Sequence, residues 1–208
     1  MGAHYDKGCA NMNEIKLITM FNKEYPIKLR EIYDPPTTLY ILGNEDLLNN
    51  NNPSIAMVGC RDCSDYGKAM ATKIAFSLAK QGINIISGMA RGIDSFSHVG
   101  ALNAKGKTVA VVGCGLDIVY PPENKKLFND IISSGGAIIS EYPIGTKPEK
   151  KHFPARNRII SGLSDGLIVV EAKERSGTLI TVDFALEQGR NVYVVPRQYY
   201  KHKFSWNK

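Results

Sequence analysis

No uninterrupted apolar stretch in the 208-residue chain approaches the ~18 residues that a membrane-spanning helix needs. The polar opening MGAHYDKGCANMNE has no apolar core of a secretory signal, and Asp6 stands where a myristoylation signal would carry Ser or Thr. A soluble cytoplasmic protein without a membrane span is expected. Cysteine is scarce: Cys9, Cys60, Cys63 and Cys114 are too few to staple a chain of this length, which predicts reduced thiols. No glycine-rich stretch ends in Gly-Lys-Ser or Gly-Lys-Thr, so nucleotide hydrolysis of the P-loop kind is excluded. A dinucleotide fingerprint is also missing. Gly113 and Gly115 are spaced for one, but Ile118 occupies the third glycine's place and Tyr120-Pro121-Pro122 prevents an immediate helix. The Cys60/Cys63 pair lacks the second pair of a structural zinc site. His4, His98, His152 and His202 are scattered, and no Ser or Cys sits in a nucleophile elbow. The expectation is therefore no catalytic residue, no metal and no cofactor.

What is present is globular in composition, with 43% hydrophobic and 22% charged residues. Four short apolar runs starting at Ile55, Ile83, Thr108 and Ala137 end at glycine or a small polar residue, two more start at Gly166 and Asn191, and all six read as buried strands. Helical spacing lies between them over 66–82, 94–104, 123–133 and 179–188, and a further helix is expected to begin near Ala155. The alternation predicts an α/β chain, a mostly parallel sheet with helices on both faces. Residues 1–11 carry no recognisable element and are expected to be disordered. Residues 12–52 read as a lead-in segment closed by the linker Asn49 to Asn52, the main domain as 53–196, and 197–208 as a basic and aromatic tail.

The net charge of +6 is uneven. Residues 1–140 hold 14 basic and 13 acidic side chains, whereas 141–208 hold 12 and 7. Lys147, Lys150, Lys151, Arg156 and Arg158 crowd one strip against Glu149 alone, together with Phe153 and Asn157. Cations beside a ring and an amide suit single-stranded nucleic acid, charge for phosphates and a ring face for bases. The plainer reading is a solvated loop leading into a helix, with Phe153 as its hydrophobic staple. Pro154 favours an extended, exposed Phe153. Ligands of parallel sheets bind beyond the carboxyl ends of the strands. There the chain places Gly59 and Arg61 after the first apolar run, Ser87, Gly88 and Arg91 after the second, Gly113 and Gly115 after the third, and Ser176, Gly177 and Thr178 after the fifth. Glycine loops that open helices suit phosphates, although any one of them alone reads equally as a tight turn.

The ordered series GCRDCSDYG (59–67), SGMARGID (87–94), GCGLDIVYPPEN (113–124), SEYPIGTKP (140–148), HFPARNRIISGLS (152–164), VVEAKERSGTLIT (169–181) and ALEQGRNVYVVP (185–196) closely resembles the DNA-processing protein A (DprA/Smf) family. So does the stretch YPIKLREIYDPPTTLYILGN (25–44). The resemblance implies an extended Rossmann-like fold and a protein that binds single-stranded DNA, protects incoming strands in natural transformation and helps load the RecA recombinase. It implies DNA contacts at Arg61, the Ser87-Gly88 turn, Lys150, Phe153, Asn157 and Arg158. Cys60 and Cys63 replace residues common in the family, which weighs against a thiol role. The family uses the later part of the domain to form a homodimer, and the departure from its pattern at Arg197 predicts a monomer here. A second reading is an enzyme, a nucleotide-binding phosphoribohydrolase of the same broad superfamily, echoed by Ser176-Gly177-Thr178 and Glu187; a nucleotide sensor without turnover is a third.

Overall fold

The computed structural model describes residues 14–49, 51–174 and 176–196. Its elements in chain order are β1 Lys16–Thr19, α1 Ile27–Arg30, β2 Thr38–Gly43, a 3-10 turn Glu45–Leu48, β3 Ser54–Gly59, α2 Asp65–Lys80, β4 Asn84–Ser87, α3 Ile93–Asn103 and β5 Thr108–Val111. A second 3-10 turn Pro122–Asn124 follows, then α4 Lys125–Ser133, β6 Ala137–Ser140, α5 His152–Gly162, β7 Gly166–Glu171, α6 Gly177–Glu187 and β8 Asn191–Val194. All eight strands form one sheet in the order β1-β2-β6-β5-β4-β3-β7-β8. β2 pairs antiparallel with both β1 and β6, and every other pairing is parallel. The six expected strands and the alternating helices are all present. Residues 16–48, read from the sequence as a lead-in, add the two antiparallel strands at one edge. The tail from Arg197 and the segment before Glu14 lie outside the described residues.

Both faces of the central strands are buried, as continuous apolar runs require. Alternate residues feed opposite layers: Ala56, Val58, Val109, Val111, Leu167 and Val169 pack with Leu29 of α1, Ile159 and Leu163 of α5, and Ala185 of α6. Met57 and Ile85 pack against Ala71 and Ala75 of α2 and Ile93 and Ala101 of α3. Ala110 and Ile138 meet Leu127, Phe128 and Ile131 of α4. The small residues of α2 recur every four positions and let α3 approach closely. Its start is fixed by Ser64, whose hydroxyl accepts from the Gly67 amide at 3.1 Å.

One expectation fails at α5. Its first residue is His152, not one near Ala155, so Phe153 is helical rather than extended. Pro154 falls in the first turn, where the missing N–H has no intrahelical acceptor to lose, and burial of the helix outweighs the bias that proline places on the residue before it.

A fully buried imidazole lies in the layer between α3 and β5. His98 donates from Nδ1 to Thr108 Oγ1 at 2.7 Å, because that hydroxyl spends its own hydrogen on the Ile85 carbonyl at 2.7 Å. Its Nε2 has no partner among the described residues. Burial, with the Arg156 charge in the same direction, lowers its pKa from 6.5 to about 3. Asp94, also buried, is raised from 3.8 to about 6 by burial, against the pull of Arg156. Below pH 6.5 the unfolded chain takes up a proton that folded His98 refuses, so this group costs stability as pH falls. Asp94 acts in reverse, adding stability between about 6 and 3.8 because the folded carboxyl is protonated first. His98→Asn should therefore lose less of its urea midpoint than wild type between pH 7.5 and 5.5; an equal loss would disprove this assignment.

Candidate nucleic-acid interface

The chain runs outward from β3 through β4, β5 and β6, then returns to β7 on the other side of β3. The loops after β3 and β7 therefore diverge over opposite faces of the sheet and leave a crevice at the carboxyl ends of the strands. A cleft of about 670 Å3 lies there, walled by the loop after β3, the first turns of α5 and the start of α6. Gly59, Arg61, Lys150, Phe153, Asn157 and the Ser176–Thr178 turn all line it. A smaller pocket of about 100 Å3 adjoins it, between Arg61, Gly88, Arg91, Gly113, Tyr120 and Phe153.

The Phe153 ring separates the two. It leans on Tyr120 with ring centroids 5.5 Å apart, and the Arg61 guanidinium lies over it at 5.3 Å from the centroid. Its position is fixed from behind by His152, whose Nδ1 is 3.1 Å from the Gly113 carbonyl and whose ring stacks on Tyr142 at 4.1 Å. Asn157, one helical turn along, accepts from Arg156 Nε at 3.2 Å and donates to the Gly177 carbonyl at 3.3 Å, joining α5 to the start of α6. At that start Ser176 has extended backbone and a buried hydroxyl that caps nothing. The space beside Gly177 is open. The unpaired amides of this first turn and the helix dipole favour an anion.

The loop after β3 is held from two sides. Glu171, the last residue of β7, accepts from the Ser64 amide at 3.0 Å and the Ser64 hydroxyl at 2.9 Å. Gly92, at φ 74°, packs its backbone against this loop, where a Cβ would lie 2.3 Å from the Cys60 carbonyl. Cys60 and Cys63 sit in the same loop with thiol pKa values raised first by burial and next by Glu171. Neither is primed as a nucleophile.

Several residues picked from the sequence are placed elsewhere. Arg158 points away from the cleft: it forms a two-pronged ion pair with Glu141, Nη1 to Oε1 at 2.9 Å and Nη2 to Oε2 at 2.7 Å, with Asp34 at 3.0 Å. Its guanidinium is taken up by these carboxylates, it ties α5 to the loops after β6 and α1, and it does not line the cleft. Ser87 is fully buried and its hydroxyl donates to the Met57 carbonyl at 2.6 Å, which leaves Gly88, itself buried, as the residue of that turn that lines the smaller pocket. Arg91 pairs with Glu123 at the rim of the smaller pocket, and Lys151 pairs with Glu149 at 3.0 Å outside the cleft lining. Glu187, the carboxylate of the enzyme reading, stands at the far end of α6, about 14 Å of helix rise from Thr178. Two further cations line the cleft: Arg156, which the sequence shows only as part of the basic strip, and Lys173, which pairs with Asp62 at 3.1 Å and which the sequence does not single out.

A family model described as DNA recombination-mediator protein A matches residues 16–207. The DNA processing protein DprA of Bacillus subtilis is 46% identical over 182 residues, 88% of this chain and 61% of its own length. DNA processing protein A from Streptococcus pneumoniae superposes with a TM-score of 0.83 at 45% identity, covering 90% of this chain and 65% of that one. DNA processing protein A from Helicobacter pylori, whose structure is presented for its unique single-stranded DNA binding mode, gives 0.78 at 31% identity, covering 95% and 84%. The chain spans about half to three-fifths of the length of the curated relatives it matches.

Glu141→Ala would leave the Arg158 charge enclosed with only half of its partners. Urea unfolding should show a loss of about 3 kcal/mol, the low end for breaking a buried pair. A loss below 1 kcal/mol would mean the pair is no more than a surface contact.

Proposed function

The chain belongs to the DNA recombination-mediator protein A family, and from that premise we propose that it is a non-enzymatic protein that holds single-stranded DNA in this cleft. The observation that carries the reading is the Arg61 guanidinium over the Phe153 ring at the junction of the two pockets. A cation for phosphate and an aromatic face for a base stand side by side, with the amides of the α6 turn and Lys150 across the cleft. The contacts proposed are Gly59, Arg61, Gly88, Lys150, Phe153, Asn157 and the Ser176–Thr178 turn. Lys173 joins them, Arg91 is at the rim, and Arg158 is dropped.

The acid and base groups do not support an enzyme. Glu141 is committed to Arg158, Glu171 to the loop after β3, and Glu187 is a helix length from the glycine turn. In the cell the reading is of a protein that shields incoming strands during natural transformation and helps load the RecA recombinase, as its family resemblance implies. Stimulation of RecA filament growth on oligonucleotides coated with single-strand-binding protein tests that step.

Oligo-dT should bind with a log-log salt slope of about −2 to −3, from ~0.7 per neutralised phosphate at three or four cations, and duplex should bind more weakly. Phe153→Ala should weaken oligo-dT binding by ~1–3 kcal/mol and leave the slope unchanged, whereas Lys150→Ala should reduce the slope by roughly 0.7. Anisotropy titrations at several salt concentrations measure both. A salt-independent isotherm, or equal affinity for duplex, defeats the proposal. A destabilised Phe153→Ala protein with wild-type affinity returns Phe153 to the role of a staple.

A further inference from the structure

The cation most committed to the cleft is the one the strip of basic residues hides. Arg156 is only 4% exposed, yet it lines the cleft floor. Its Nη1 donates to the Gly88 carbonyl at 2.5 Å and to the Val111 carbonyl, and its Nε donates to Asn157 Oδ1. Nη2 makes no hydrogen bond among the described residues. It lies beside Gly88, where a Cβ would be 2.7 Å from Nη2 and 2.5 Å from Asp94 Oδ2. Any side chain at 88 would cover both groups, so this glycine keeps the guanidinium edge and the carboxylate uncovered at the back of the site. Asp94 is the electrostatic neighbour of Arg156; it accepts from the Ala90 amide at 3.3 Å and has the Ser87 hydroxyl beside it.

A guanidinium withdrawn from water is costly unless its donors and charge are matched. Carbonyl oxygens take up part of this one, Asp94 offsets part of its charge, and Arg61 adds a second positive charge nearby. The two N–H groups of Nη2 are left without an acceptor among the described residues, and the floor is one negative charge short. We infer that Arg156 is an anion-binding residue of the cleft, presenting Nη2 to one phosphate oxygen, and that Asp94 sets how strongly that anion is held. The inference rests on the proposed binding of single-stranded DNA insofar as the phosphate belongs to a nucleic acid backbone; free phosphate is the same chemistry. Asp94 makes the site responsive to pH, since an anion at Nη2 is repelled by the ionised carboxylate and not by the neutral acid. The other groups facing this pair are Arg61 from the loop after β3, His98 on α3, Cys114 after β5 and Tyr142 after β6. His98 stays neutral down to about 3, Cys114 is raised to about 12 and so is Tyr142. Asp94, at about 6, is the group that changes charge between pH 5.5 and 7.5.

Arg156→Lys retains the charge and loses the fork, and Asp94→Asn removes the opposing charge without shortening the side chain. Both are compared with wild type by urea unfolding, by oligo-dT anisotropy at pH 5.5, 6.5 and 7.5, and by titration of inorganic phosphate against the guanidinium N–H resonances. Arg156→Lys should bind oligo-dT about ten- to hundredfold more weakly, the worth of a charge-assisted hydrogen bond. Asp94→Asn should bind roughly tenfold more tightly at pH 7.5 and lack the gain in affinity that wild type shows between pH 7.5 and 5.5. A folded Arg156→Lys with wild-type affinity for both probes overturns the inference. Should that variant fail to fold, an Asp94→Asn protein with wild-type affinity and pH profile overturns it equally. If phosphate shifts the Arg156 resonances while oligo-dT does not bind, Arg156 stands as an anion site and the single-stranded DNA reading falls. If wild type responds to neither probe, both fail.

Discussion

Parallel pairing of β3 with β4 on one side and β7 on the other is the constraint from which the rest of the molecule follows. A chain that has built β4, β5 and β6 outward from β3 must return across the sheet to reach the free edge of β3, and the connection that does so is α5. The return places α5 and α6 on the face opposite α2, α3 and α4, parting the loops at the carboxyl end of β3. The cleft is therefore a product of topology before any side chain is chosen. Its contents are whatever the residues after β3 and β7 and the first turns of α5 supply.

Helix geometry on α5 then divides its residues. Phe153, Arg156, Asn157 and Ile160 recur at three- and four-residue spacing and face the cleft together. Arg158 is two positions beyond Arg156, some 200° around the helix axis at 3.6 residues per turn, and so faces the loops after β6 and α1. Two arginines in one short motif thus serve different sides of the same helix.

This explains which parts of the molecule were legible in the sequence. The six central strands declare themselves as apolar runs, because a strand covered on both faces has no polar side to interrupt it. β1 and β2 are harder to read: Lys16 and Leu17 of β1 are exposed, and the partners of β2 are β1 and the distant β6. The glycine loops and Phe153 were legible because their residue types are unusual at strand ends. Arg156 was legible as a member of the basic strip but not as part of the cleft face, since starting the helix near Ala155 removed Phe153 from the periodicity that puts both on one side. Arg158 was read as a contact from its place in the basic strip and the family resemblance, and its acceptor, Glu141, lies 17 residues away. A contact of that range leaves no local trace.

The double hydrogen bond from Ser64 to Glu171 has a consequence for how fast the cleft can be entered. It fastens the loop carrying Arg61 to the end of β7, from which the Ser176–Thr178 turn departs, so two walls of the cleft share one anchor. With Asn157 fastening the third, the walls are set before anything arrives, and little conformational entropy is left for a ligand to remove. For the proposed ligand this predicts association without a closing step, limited by diffusion in the field of the basic floor, with differences in affinity carried by the lifetime of the complex.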